Sequence, residues 1–113
     1  MDLTRETAYT AVRELKKRLR EQFGDTTEVY LFGSVARGDF DSESDIDVLV
    51  LIEGEETKAA NEIHERIRDL ALPIELDYNV VFGFIVHSRN YWASSQSLVT
   101  PIHQAVEREG VLV

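Results

Sequence analysis

The side chains with the most chemical content are Asp45 and Asp47, two apart at the mouth of the apolar run Val48-Leu49-Val50-Leu51-Ile52. Strand side chains alternate with a period of two, so both carboxylates face one side. Aspartate is disfavoured in strands. Two like charges ~5 Å apart repel by roughly 3 kcal/mol at an effective dielectric of ~20. A divalent cation offsets that repulsion. Hard oxygen donors in a chain without cysteine point to Mg2+ or Mn2+ rather than zinc. The competing reading is a wet strand end in which both aspartates act as caps.

The second group is Gly33-Ser34, directly after the apolar stretch Val29-Tyr30-Leu31-Phe32, with Arg37 three residues further on. A strand, a glycine turn and a short helical start present free backbone N–H groups and a hydroxyl to an anion. Arg37 adds charge-assisted contacts to the same anion. A plain strand-to-helix turn is the competing reading. Gly33 and Gly38 have the spacing of a Walker A loop, but Asp39-Phe40 stands where Lys-Ser/Thr is required. No G-x-G-x-x-G occurs here. The stretch from Asp39 begins like a calcium loop, yet its sixth position is Ser44 and its twelfth Val50, where glycine and glutamate are needed.

Several elements must position these residues. Residues 4–22 read as a helix with Ala8, Val12, Leu15 and Leu19 on one stripe, capped by Asp2 or Thr4 and ended by Gly24. Residues 28–32 and 45–52 read as strands, the second covered on both faces. Residues 56–71 read as a helix with Ala60, Ile63, Ile67 and Leu70 on one stripe, ended by Pro73. Ile74 to Val81 reads as a third strand, with an extension through Gly83 to Val86 as an option. Tyr91-Trp92 opens an irregular or short helical piece. Thr100-Pro101 caps a last helix that carries Ile102, Ala105 and Val106 inward and stops at Gly110. Val111–Val113 reads as an edge strand. The order predicts an α+β fold, a small mixed β-sheet with helices packed on it.

Composition bounds the rest. A length of 113 residues fits one domain, 1–113, with one modest core. Acids outnumber bases 21 to 12, a net charge of −9, which disfavours a nucleic-acid binder held by phosphate contacts. From Asp39 to Glu56 there are eight acids and no base. The absence of cysteine excludes disulfides and thiolate metal sites and is compatible with the reducing cytoplasm, the expected location. No apolar run approaches the ~18–20 residues of a membrane span, and the N-terminal residues lack the apolar stretch of a signal peptide.

Taken together, Gly33-Ser34-Val35-Ala36-Arg37-Gly38 and Ser44-Asp45-Ile46-Asp47-Val48-Leu49-Val50, with ten residues separating Gly33-Ser34 from Asp45-x-Asp47, resemble the nucleotidyltransferase superfamily with the DNA polymerase β-like core. The fuller pattern resembles its minimal nucleotidyltransferase (MNT) family over nearly the whole chain. Glu107-Arg108-Glu109-Gly110-Val111 is a weaker match to that family's C-terminal pattern. The resemblance implies transfer of AMP from ATP. Asp45 and Asp47 would hold two Mg2+ ions, with Mn2+ as the alternative. A third carboxylate on a later strand, Asp77 with Glu75 as standby, would ligate the catalytic metal and take the acceptor proton. Gly33, Ser34 and Arg37 would bind the nucleotide. It also implies a HEPN-domain toxin as partner, a tyrosine of which would accept AMP, with this chain as antitoxin in a homo- or hetero-oligomer. An acidic surface suits a basic partner. Two other functions remain open: an idle binding module that neutralises its partner by occlusion, and a transferase acting on a small molecule such as an aminoglycoside, for which the chain has no room for a substrate domain.

Other suggestive residues carry blander readings. His64, His87 and His103 show no metal-ligand spacing and are read as structural or surface groups. Tyr91-Trp92 with Phe82 and Phe84 reads as core before partner surface or nucleotide-stacking wall. Ser94-Ser95-Gln96-Ser97 reads as a loop, and Lys16-Lys17-Arg18-Arg20 as a solvated helix face.

Overall fold

The computed structural model describes residues 3–54 and 60–113. Thr4 caps the first helix, α1 (Arg5–Phe23), its hydroxyl accepting the Thr7 N–H at 3.1 Å. Gly24, at φ +104°, turns the chain out of the helix. Strand β1 (Glu28–Phe32) leads straight into the short helix α2 (Gly33–Arg37). Strand β2 (Ile46–Ile52) then runs antiparallel to β1, with Phe32 opposite Asp47. Helix α3 (Ala60–Tyr78) crosses to strand β3 (Phe82–Ser88), which lies parallel to β2 with Asp47 opposite Gly83. Helices α4 (Arg89–Trp92), α5 (Ser95–Leu98) and α6 (Pro101–Glu109) follow. Strand β4 (Val111–Leu112) closes the sheet against β1 in the order β3-β2-β1-β4. This is the expected α+β class, a mixed sheet with helices on it.

The central place of β2 follows from its composition. Val48, Leu49 and Val50 alternate faces and are all fully buried, and each such side chain contributes about 1.5–3 kcal/mol. Val48 and Val50 face the helices α1 and α3, packing with Leu15, Leu19, Ile67 and Ile74. Leu49 and Leu51 face the other way, onto Phe32 and Val106, with Trp92 and Ile102 at the margin. Asp47 shares the parity of Leu49, so its side chain lies on this second face. Among the described residues no helix is long and apolar enough to cross a membrane.

One element differs from the sequence reading. The expected strand over 74–81 is the last part of α3, which runs through Pro73 and ends at Asn79, a residue at φ +54°. An internal proline costs a helix about 3 kcal/mol. Here Ala71 and Ile74, on either side of it, are fully buried against the sheet, which offsets that cost. The alternation Ile74-Glu75-Leu76-Asp77-Tyr78 imitates a strand. Helical geometry instead leaves Leu76 exposed at 73 %. The optional extension through Gly83 to Val86 is the real third strand. The expected helix start at 56–59 lies outside the described residues, as does Asp2.

Thr100 and Pro101 open α6 as expected, Thr100 accepting the His103 N–H at 3.2 Å. His103 is a structural histidine. Its Nδ1 pairs with the buried Ser97 hydroxyl at 2.8 Å, its Nε2 with Glu107 at 3.1 Å, and its ring stacks on Trp92 at 4.2 Å. This unit ties α4, α5 and α6 together behind the sheet. The serine stretch read as a loop therefore contains α5, with Ser94 accepting the Ser97 N–H at 3.3 Å.

Candidate active site

The antiparallel pairing of β1 and β2 brings the end of one strand beside the start of the other. Phe32 faces Asp47 across the ladder, so the Gly33 turn stands next to the two aspartates. Asp45 is exposed and just precedes β2. Asp47 is half-buried as its second residue. Asp47 fits because two neighbours lack side chains. A Cβ on Gly33 would lie 2.2 Å from Asp47 Oδ2, and one on Gly83 would lie 3.0 Å from Oδ1. Gly33 is also at φ +73°, where residues with a Cβ are disfavoured. The carboxylate is thus clamped between glycines of two flanking elements.

The electrostatics match a site built for a cation. Burial pushes the Asp47 carboxyl above its usual pKa. The charge of Asp45 adds to that rise, as does Glu109 more weakly, while Arg37 opposes it. Arg37 is exposed and is held by two acids. Its Nε donates to Asp39 Oδ2 at 3.1 Å, and its Nη1 to Glu109 Oε1 at 3.1 Å and Oε2 at 3.3 Å. These partners, Asp39 foremost, raise the guanidinium pKa further. Glu109 Oε1 also accepts the Gly33 N–H at 3.3 Å.

The structure brings Gly33, Ser34, Arg37, Asp45 and Asp47 to one end of the sheet and places Asp77 on helix α3 rather than on a strand of that sheet. Asp77 is exposed in the last turn of α3, so the strand parity that aimed it at the other aspartates does not exist. Glu75, its standby, is on the same helix and accepts the Phe82 N–H at 2.9 Å. Strand β3 carries no acid at all, and Gly83 holds the register position beside Asp47. Among the described residues no group of three metal-capable side chains forms. The donor set of Asp45 and Asp47 does fit Mg2+, which is commonly held by one or two carboxylates with phosphates and water completing the shell. It does not fit a cage made of protein alone.

Glu109 is the residue that sequence reasoning missed. Its only signal was membership of the C-terminal Glu-Arg-Glu-Gly-Val stretch. A hollow of about 570 Å³ lined by Glu28, Tyr30, Leu51, Arg89 and Trp92 lies toward the opposite end of β2 and takes no part in this cluster.

A turn after β1 beside two acids at the start of β2 can bind a metal-chelated polyphosphate and hold it for in-line attack. The sequence pattern of the nucleotidyltransferase domain matches residues 12–98. The chain belongs to that family. It is a nucleotidyltransferase with relatives among proteins named for transfer to protein. It is 32 % identical over 103 residues to a "putative protein adenylyltransferase" of Methanocaldococcus jannaschii, covering 90 % of this chain and 94 % of the relative. It is 31 % identical over 101 residues to a second protein so named from the same organism, covering 88 % and 91 %. Its fold is similar to the crystal structure of a "putative nucleotidyltransferase" from Sulfolobus solfataricus, with TM-score 0.55, 23 % identity and coverage of 94 % and 85 %. It is also similar to a chain in the crystal structure of a toxin-antitoxin with AMP-PNP, with TM-score 0.57, 23 % identity and coverage of 88 % and 69 %. The nucleotidyltransferase fold here carries both glycine contacts that the Asp47 carboxylate needs.

Proposed function

We propose that this nucleotidyltransferase moves AMP from ATP to a tyrosine hydroxyl of a partner HEPN-domain toxin and acts as its antitoxin, as a protein of the MNT type. The observation that carries this reading is the placement of Asp45 and Asp47 beside the Gly33-Ser34 turn, with Asp47 seated between two glycines. Relatives named as protein adenylyltransferases and the likeness in fold to a toxin-antitoxin chain support the choice of a protein acceptor.

In this reading Asp45 and Asp47 hold Mg2+, or Mn2+ in its place. The ion, when bound, supplies neutralisation of the polyphosphate charge and lowers the pKa of the acceptor hydroxyl. The Gly33 N–H and Ser34 hydroxyl orient the polyphosphate, and Arg37 balances charge that grows on the leaving group. The acceptor oxygen forms a bond to the α-phosphorus, the α–β bridging bond breaks, pyrophosphate leaves, and the hydroxyl proton passes to water. Positioning and electrostatics supply most of the rate in such chemistry.

The acceptor needs a surface beside the carboxylates. Leu72 and Leu76, one turn apart on α3, are exposed at 52 % and 73 %, and Val81 at 55 %. The Val81 carbonyl accepts the Ile46 N–H at 2.8 Å, so this apolar edge ends next to Asp45. Asp69 and Asp77 lie exposed along it. An apolar anchor on the partner, rimmed by basic residues, complements this edge. Residues 1–113 act as one domain in this reading, since both cores share the one sheet.

The test is incubation with labelled ATP, Mg2+ and the partner toxin. Label should appear on the toxin and disappear with the Asp45→Asn/Asp47→Asn double variant. A double variant that neutralises the toxin as well as the native chain would replace catalysis with occlusion.

A further inference from the structure

Glu109 already holds the Gly33 N–H and one Arg37 nitrogen, two of the donors that the proposed polyphosphate seat uses. It is the last residue of α6, its side chain only 17 % exposed. One carboxylate oxygen accepts both the Gly33 N–H and an Arg37 N–H, and the other accepts the same Arg37 nitrogen. This is the arrangement a phosphate oxygen pair would meet, made by a protein carboxylate 72 residues away from Arg37 in the chain. The backbone that carries Glu109 is fixed. Val106 is in the core, and His103 is buried between Ser97 and Trp92. The Glu109 side chain, at the helix end before Gly110, is the part that can turn away.

We infer that Glu109 is a built-in competitor for the polyphosphate at Gly33 and Arg37, and so sets the affinity of this site for nucleoside triphosphates. The inference rests on the reading that these two residues seat a polyphosphate. The Gly33 N–H has a single hydrogen and cannot serve a carboxylate and a phosphate together, and the Glu109 charge beside Arg37 neutralises the cation a phosphate would meet. Glu109 also adds a third negative charge near Asp45 and Asp47, which a triphosphate must meet or displace. A merely structural Glu109 would fix Arg37 in its working position. The two roles predict opposite signs: losing a competitor tightens binding, and losing a strut weakens it.

The experiment is calorimetric titration of the full chain with Mg2+-AMP-PNP and, separately, with Mg2+-tripolyphosphate. Competition predicts that Glu109→Gln lowers both dissociation constants by about threefold or more, equivalent to roughly 0.65 kcal/mol or more. Glu109→Ala serves as the second variant should the first not fold. An unchanged or raised constant in a folded variant overturns the inference while leaving the polyphosphate seat intact. Binding of neither probe by native and variant chains overturns the seat, and the inference with it. In 15N-labelled native protein the Gly33 amide resonance must titrate with Mg2+-tripolyphosphate at the calorimetric constant, and a Gly33 resonance that does not move also overturns the inference.

Discussion

The carboxylate of Asp47 fills the space that a side chain on Gly33 would take: a Cβ there would stand 2.2 Å from Oδ2 and 3.1 Å from Cγ. The turn and the aspartate are thus one construction. Gly33→Ala must move the Asp47 side chain and also place alanine at φ +73°, which alone costs about 1–2 kcal/mol. Since misplacement by ~1 Å can cost ~100-fold, the expected outcome is a folded protein with the proposed adenylyl transfer reduced by about that factor. Chemical denaturation and the labelled-ATP assay measure the two effects.

Gly83 is the milder partner. A Cβ there would meet Asp47 Oδ1 at 3.0 Å, and its backbone lies in the ordinary strand region. Gly83→Ala should change stability by less than about 1 kcal/mol, as surface-strand changes do. It should still weaken Mn2+ binding, because Oδ1 must shift by a few tenths of an ångström. Electron paramagnetic resonance of bound Mn2+ gives the affinity. A Gly83→Ala loss equal to that of Gly33→Ala would mean that the two glycines are equivalent, which their contacts deny.

Thr27 offers a stability prediction away from the site. It is fully buried, and among the described residues its hydroxyl has no hydrogen-bond partner. An unsatisfied buried hydroxyl costs about 1–3 kcal/mol. Thr27→Val keeps the shape and removes the hydroxyl, so it should raise the denaturation free energy by about 1 kcal/mol with no change in nucleotide binding.

What the sequence made legible was local. The Thr4 and Thr100 caps, the apolar run of β2 and the Gly33 turn announce themselves within a few residues of chain, and each stands where it was expected. Residues 74–78 misread because apolar and acidic residues alternate there, and because Pro73 is a stop signal that burial of Ala71 and Ile74 overrides. Only tertiary packing carries that information. Asp77 went with this segment, since its place in the site depended on a strand. Glu109 was hidden for a related reason. Its partners Gly33 and Arg37 lie more than 70 residues earlier, and no local pattern marks such a pairing.

The last prediction concerns the charge on Asp47. Its folded pKa is raised, by burial first and by Asp45 next. A carboxyl raised in this way is penalised in the folded state when ionised. The penalty is complete above the folded pKa. It is relieved as pH falls through that value toward the unfolded one near ~3.9. At neutral pH the site is therefore stored instability, the usual cost of a functional charge. Asp47→Asn removes the charge at nearly constant shape. It should raise stability at pH 7, seen as a higher melting temperature, while reducing transfer by at least ~100-fold. The gain over native protein should shrink as pH is lowered into the acid range, since native Asp47 then becomes neutral as well. Thermal melts of both proteins across pH 4–7 measure this. An Asp47→Asn protein less stable than native at pH 7 would show that the carboxylate is held by compensating contacts rather than strained by its surroundings.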